Sequence, residues 1–105
     1  MWIRTQEKIR LINLDSISDI TIGRINSGDM NRRVIRMEYK NGEDISVGIF
    51  INEERTLKII NEISNTIQNN RKLELGIKCG ALNYYDFIRE YVEVYQIPSE
   101  VVENE

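Results

Sequence analysis

The 105-residue chain has no histidine and a single cysteine, Cys79. These two shortages exclude a disulfide framework, the usual Cys/His zinc sites and any catalytic triad or dyad that uses imidazole. We therefore predict a protein without a metal, without a cofactor and without enzymatic activity. In a reducing compartment, a lone cysteine is expected to be a small, half-buried residue rather than a reactive one.

Long apolar runs are also missing. No segment approaches the roughly 18 consecutive apolar residues of a membrane span, and residues 1–10 carry charges where a secretory signal would be apolar. We expect a cytoplasmic protein that does not contact membranes. The balance of 41% apolar and 30% charged residues leaves room for one core, so residues 1–105 are predicted to form one domain.

The net charge of −3 is unevenly distributed along the chain. Residues 1–40 hold eight basic and five acidic residues, whereas residues 41–105 hold six and twelve. One basic group stands out; it comprises Arg24, Arg32, Arg33 and Arg36. We interpret this group as the solvated surface of a hairpin, with an anion or nucleotide contact as the alternative. The acidic balance argues against nucleic acid as a partner.

Alternating side chains predict strands in the first third of the chain. Trp2, Arg4 and Gln6 share one face of a first strand, and Ile3 and Thr5 share the other. Further features are predicted in this order: a turn at residues 7–8, strands over residues 9–14 and 20–24, and a mobile polar loop over residues 26–31.

A hairpin is the clearest local signal, with strands over residues 33–40 and 44–51 joined at Asn41-Gly42. Asn-Gly favours a type I′ turn. The side chains expected to face the core are Ile35, Met37, Tyr39, Ile45, Val47, Ile49 and Ile51. Val34 and Phe50 fall on the opposite, wetter face, so the sheet is not expected to be one-sided.

A helix is predicted to follow the hairpin. Asn52 is a suitable N-cap, and the two glutamates after it suit the positive end of the helix dipole. Apolar residues at helical spacing then run to Ile67, and Asn69 and Asn70 are predicted to end the helix.

The last third of the chain is less regular. Alternation over residues 73–77 predicts a short strand, and Asn83 is a candidate N-cap for a second helix. Residues 91–97 fit either a continuation of that helix or a closing strand, and their β-branched and aromatic side chains favour the strand. The predicted fold is α+β: an antiparallel sheet of four or five strands with helix 53–69 across one face, arranged as in pleckstrin-homology domains.

Four motifs occur in order along the chain: MWIRTQEK with LIN over residues 1–13, VGIF over 47–50, a helix start over 53–63, and VYQIP over 94–98. Together they resemble a group of small phage, prophage and mobile-element proteins of Firmicutes that begin with MWIR(S/T)Q(D/E)K. The resemblance implies no catalytic or binding residue, but it favours a closing strand. It divides the domain as follows: sheet and main helix over residues 1–70, a family-variable insertion over 71–90, the closing strand over 91–98, and an acidic tail over 99–105.

Two sets of side chains are candidates for contact with a ligand or partner. Trp2 and Arg4, two apart on one strand face, combine stacking with hydrogen bonding, although burial of Trp2 in the core is the favoured alternative. The second set consists of tyrosines that fit either the core or a partner or dimer surface: Tyr84, Tyr85, Tyr91 and Tyr95.

The leading hypothesis is a non-enzymatic accessory protein that binds a host or viral protein, for example to inhibit host antiviral defence. The alternatives are capture of an anionic small molecule such as a nucleotide signal, and a nucleic-acid-binding regulator. The small-molecule site would be built from Arg24, Arg32, Arg33 or Arg36 beside Tyr39 or Trp2. The edge strands of so small a sheet also predict a homodimer.

Overall fold

A computed structural model describes residues 1–25 and 31–100. Those residues form two helices and six strands in two sheets of three strands each. The strands are β1 (Trp2–Arg4), β2 (Leu11–Asn13), β3 (Ile17–Arg24), β4 (Arg33–Tyr39), β5 (Asp44–Phe50) and β6 (Val94–Gln96), and the helices are α1 (Glu53–Lys78) and α2 (Tyr84–Glu90). The α+β class is confirmed, but the strands lie in two sheets of three, where the sequence predicted one antiparallel sheet of four or five strands. The predicted polar loop lies outside the described residues except for Asn31, and so does the predicted acidic tail except for residues 99–100.

The two sheets differ in strand length and direction. The short sheet, with the order β2-β1-β6, has β1 antiparallel to β2 and parallel to β6. The long sheet, with the order β3-β4-β5, is antiparallel throughout. β6 confirms the closing strand that was favoured over a longer second helix.

Gln6 joins the two sheets. Its backbone N–H donates to the carbonyl of Val47 at 2.9 Å. Its side-chain amide donates to the Ile49 carbonyl at 3.0 Å and accepts from the Ile49 N–H at 2.9 Å. The same amide nitrogen donates to the Pro98 carbonyl at 3.0 Å. The Gln6 side chain thus takes the place of a neighbouring strand and covers part of the β5 edge.

One apolar core is shared by the two sheets and α1. Its buried members are Ile3, Ile12, Ile35, Met37, Val47, Phe50, Ile59, Ile63 and Ile97. Each such side chain contributes about 1.5–3 kcal/mol by leaving water, before conformational entropy is subtracted. Because both sheets and the helix supply members, no element buries its apolar face without the other two.

A β-bulge decides which side chains of β5 face the core. The register to β4 shifts at Val47, so the alternation inverts beyond that residue. Phe50 is fully buried, whereas Ile49 and Ile51 are exposed. The predicted core positions of Ile49 and Ile51 are therefore wrong, and so is the wet position of Phe50. Val34, also assigned to the wet side, is buried on the outer face of the long sheet.

Gly48 lets this bulged part of β5 approach the C-terminal segment closely. A Cβ atom at Gly48 would lie 2.8 Å from Cγ2 of Ile97 and 3.1 Å from the Phe50 ring. Both neighbours are fully buried and have little room to move. The glycine of the VGIF motif therefore has a packing role.

The hairpin turn differs from the predicted type. Gly42 has a φ of +92°, but Asn41 does not share the positive φ that a type I′ turn requires. The Gly42 N–H donates to the Tyr39 carbonyl at 2.9 Å, and the Tyr39 N–H donates to the Glu43 carbonyl at 2.7 Å. The loop therefore has three residues and ends on a left-handed glycine.

α1 begins where it was predicted and ends later. The Asn52 side chain accepts a hydrogen bond from the Arg55 N–H at 2.8 Å, which confirms the N-cap. The helix continues through residues 69–70 to Lys78. The strand predicted over residues 73–77 is therefore wrong, because that segment extends α1.

Asn70 stays inside the helix because its side chain is held by the chain beyond α2. Its Nδ2 donates to the Val92 carbonyl at 2.7 Å, and its Oδ1 accepts from the Val92 N–H at 3.0 Å. Asn70 is buried. An asparagine amide that binds a distant backbone in this way does not compete with the helix's own hydrogen bonds.

α2 follows a cap that the sequence predicts. The Asn83 side chain accepts from the Asp86 N–H at 2.8 Å. Phe87 stacks on Tyr91 with ring centroids 4.9 Å apart, on the C-terminal side of the helix. Cys79, expected to be half-buried, is exposed between the two helices.

Replacing Asn70 with alanine is expected to lower the free energy of unfolding by about 2–3 kcal/mol, because both backbone groups of Val92 lose their partner. Asn69→Ala is the matched control; it removes an exposed amide one position away and is expected to change stability by less than about 0.5 kcal/mol. Urea denaturation followed by circular dichroism measures both. Equal effects of the two substitutions would contradict the role assigned to Asn70.

Candidate functional site

The short sheet buries one face and exposes the other. Ile3 and Ile12, which are paired across β1 and β2, lie in the core. On the opposite face, the exposed fractions are 39% for Trp2, 51% for Leu11 and 40% for Val94. Single exposed apolar residues are common, but a contiguous group of large ones is typical of an interaction surface.

The strand register brings these side chains together. Trp2 is paired with one residue on each neighbouring strand, and so is Arg4, two positions further along β1. Directly paired residues point to the same face of a sheet, and so do residues two apart on a strand. The resulting surface is called the Trp2 face; it consists of Trp2, Arg4, Leu11, Asn13, Val94 and Gln96.

The expected burial of Trp2 is wrong. Alternation along β1 gives the core positions to Ile3, which is fully buried, and to Thr5, which is nearly so. Trp2 and Arg4 are two residues apart, so their side chains share a face of the strand. A guanidinium cannot enter an apolar core without an ionic partner. The charge on Arg4 was therefore the sequence signal that places Trp2 outside.

The Trp2 face carries the residue types that dominate protein interfaces. Tryptophan and arginine are enriched among the residues that supply most binding energy. β1 is the central strand of the short sheet, so its backbone is paired with a strand on both sides. Gln96 is fixed as well, since its Nε2 donates to the carbonyls of Thr5 at 3.0 Å and Ile97 at 2.7 Å. A preorganised surface loses little entropy on binding.

The four arginines of the basic group do not converge. Arg24 and Arg33 are paired at one end of the β3–β4 ladder. Arg36 lies on the opposite face of β4, where its guanidinium crosses Gly23. Arg32 lines a separate cavity of about 190 Å³ beside β5. This arrangement does not present four guanidinium groups to one anion.

Tyr39 and Trp2 do not complete an anion site either. Tyr39 lies at the far end of β4 from Arg33, about 20 Å away at the usual rise of a strand, and on the opposite face from Arg36. It is half-buried and packs against the core. Trp2 belongs to the other sheet. The structure therefore places the candidate aromatic partners apart from the arginines.

The four candidate tyrosines are of two kinds. Tyr84 and Tyr85 are exposed on α2. Tyr91 and Tyr95 are half-buried, and their hydroxyl groups donate to glutamates of α1 at 3.2 Å and 3.1 Å. The first two are accessible to a partner, whereas the last two fasten the C-terminal segment to α1.

The environment of Tyr95 changes its acidity. Burial raises the pKa of Tyr95 to about 12, and the Glu62 carboxylate adds to this through its charge and its hydrogen bond, against a smaller opposite effect of Arg55. Burial and the hydrogen bond to Glu74 also raise the pKa of Tyr91. Both phenols are therefore held in their neutral form as structural donors.

Comparison with known proteins gives no match: no protein-family model, no curated protein and no solved structure is similar to the chain. The resemblance to phage and mobile-element proteins and the likeness to pleckstrin-homology domains stay predictions. Within the described ranges, no three His, Cys, Asp or Glu side chains are grouped to hold a metal ion. In the same ranges, neither helix combines the length and the apolar character needed to cross a membrane.

Stability is expected to fall between pH 10 and pH 12 as Tyr95 ionises. The pKa is about 10 in the unfolded chain and about 12 in the folded one, so the contribution is complete below pH 10 and is lost as the pH rises through 12. Tyr95→Phe is expected to reduce the slope of stability against pH in this range, whereas Tyr84→Phe, at an exposed position, leaves it unchanged. Urea midpoints across this range measure the slope, and an unaltered slope in Tyr95→Phe would refute the assignment.

Proposed function

We propose that this chain is a non-enzymatic binding protein of a phage or mobile element, and that its Trp2 face docks on a host or viral protein in the cytoplasm. The exposure of Trp2, Leu11 and Val94, aligned on one face of a sheet, carries this proposal. Inhibition of a host antiviral defence is the role that fits the sequence resemblance.

The chemistry of the Trp2 face favours a protein partner over a small molecule. The face belongs to an open sheet surface, whereas small ligands are usually enclosed in clefts. Covering the indole and its apolar neighbours removes them from water, which is the main source of favourable energy in protein association. Arg4 supplies charge-assisted hydrogen bonds to carboxylate or carbonyl groups.

The charge around the face indicates the kind of surface that it fits. Arg4 lies on the face, whereas the exposed Arg10 and Glu93, which precede Leu11 and Val94, carry opposite charges beside it. A partner surface with an apolar centre and a carboxylate opposite Arg4 would complement this face. Rim charges of this kind mainly increase the rate of association and the specificity.

The test is a pull-down in which the purified chain is the bait and a lysate of a Firmicutes bacterium supplies the candidate partners. Wild type is expected to retain a protein that Trp2→Ala and Arg4→Ala retain roughly tenfold less, because both substitutions remove interface anchors. Both side chains point away from the core, so circular dichroism and thermal melting are expected to stay close to wild type. Tyr84→Ala, at an exposed aromatic residue on α2, is the matched control and keeps full retention.

The retained protein is then purified and titrated against each variant by calorimetry. Equal affinity of wild type and Trp2→Ala would overturn the role of the Trp2 face. A loss confined to Tyr84→Ala would assign the interface to α2 instead. Failure of wild type to retain any protein at micromolar concentration would count against a protein-binding function.

A further inference from the structure

A groove separates β3 from the second half of α1. Its volume is about 390 Å³, which lies within the range of ligand-binding clefts. The apolar side chains in its lining include Leu14, Ile17, Ile20 and Ile67. None of these residues belongs to the Trp2 face, so the groove is a second and separate surface.

The groove runs along the edge of β3. Residues 17–20, four in succession, line it. A β-bulge interrupts the alternation between Ile17 and Asp19. Beyond it, successive side chains point to opposite faces: Asp19 pairs with Glu38 on the outer face, and Ile20 pairs with the buried Met37. A cavity lined from both faces of a strand must follow its edge, and β3 is an end strand of the long sheet.

The hydrogen-bond pattern shows which backbone groups face the groove. The Lys40 N–H donates to the Ser16 carbonyl and therefore points toward β3. Backbone groups alternate in direction along a strand, so every second residue of β4, going from Lys40 toward the N-terminal end of the strand, also directs its N–H and carbonyl toward β3. Their partners in β3 include Asp19 and Thr21. The backbone groups of Ile20 and of every second residue beyond it therefore point away from β4 and toward the open edge.

The two edges of the long sheet differ in the hydrogen-bond partners of their outward backbone groups. On β5, the Gln6 amide occupies both backbone groups of Ile49, and the Glu100 carboxylate accepts from the Ile51 N–H at 3.0 Å. On β3, the outward N–H of Ile20 donates to the carboxylate of its neighbour Asp19, at 3.0 Å. A carbonyl of an incoming strand can replace such a local bond, which makes β3 the edge suited to strand addition.

The charge of the groove selects the incoming strand. Three carboxylates, those of Asp15, Asp19 and Glu74, line it together with one guanidinium, that of Arg71. This excess of negative charge favours basic side chains on the occupant. The apolar residues on the core side of β3 favour apolar side chains at alternate positions.

We propose that the groove binds an extended, basic segment of a partner protein, which adds to β3 as a further strand. Main-chain hydrogen bonds to the open edge supply the affinity. Apolar side chains of the segment lie over Ile17, Ile20 and Ile67, and its alternate basic side chains face Asp19. This docking mode uses the edge of one sheet, whereas the proposed function uses the face of the other.

The test uses a capped peptide of alternating Lys and Val, about seven residues long, labelled for fluorescence anisotropy. The full chain is expected to bind it at micromolar to millimolar concentration, and NMR is expected to show amide shifts over residues 17–22 but not on the Trp2 face. Methylating alternate backbone amides of the peptide is expected to weaken binding roughly tenfold, since it removes main-chain donors without changing the charge.

Asp19→Asn is expected to weaken binding several-fold, whereas Asp44→Asn, at an exposed carboxylate on β5, serves as the matched control and has no effect. Equal effects of both substitutions, or full binding of the methylated peptide, would overturn strand addition. A dimer detected by sedimentation, with the β3 amides protected from hydrogen exchange, would also overturn the proposal. In that case a second copy of the chain would occupy the edge. Trp2→Ala is expected to leave peptide affinity unchanged, so failure of the proposed function is distinguished from failure here.

Discussion

Each three-stranded sheet is far smaller than a unit that usually folds alone, and both are held by one shared apolar core. Ile3 of the short sheet, Phe50 of the long sheet and Ile59 of α1 are all fully buried in the same cluster. Gln6 adds hydrogen bonds from the end of β1 to the bulged part of β5. Since the inner faces are committed to this core, the outer face of the short sheet and the edge of β3 remain available to other molecules.

The sequence predicts those parts of the fold that depend on short-range bonds. The caps at Asn52 and Asn83 were predictable because a capping side chain binds a backbone N–H only three residues away. The end of α1 was not, because Asn70 is held by Val92, 22 residues further along the chain. Two consecutive asparagines are typical of a helix end, and the sequence alone does not show the distant partner that keeps Asn70 in the helix.

The candidate site was predictable only in part, for a similar reason. Strand alternation predicts that Trp2 and Arg4 share a face. Leu11 and Val94 lie on the same face only because of the register of β1 with β2 and β6, which the sequence does not show. Alternation also failed at Val47, where a bulge exchanges the inner and outer positions of β5. The groove beside β3 depends on the extension of α1 past Asn70, which the sequence pattern did not indicate.

The parallel pairing of β1 with β6 has a consequence for biosynthesis. Gln6 and Pro98, which are bonded in the folded protein, are separated by 92 positions. Until residues 94–96 have been translated, β1 lacks one of its two neighbours. Closing so long a loop costs entropy that only the finished core repays. The surface around Trp2 therefore cannot be complete until residues 94–96 have joined β1.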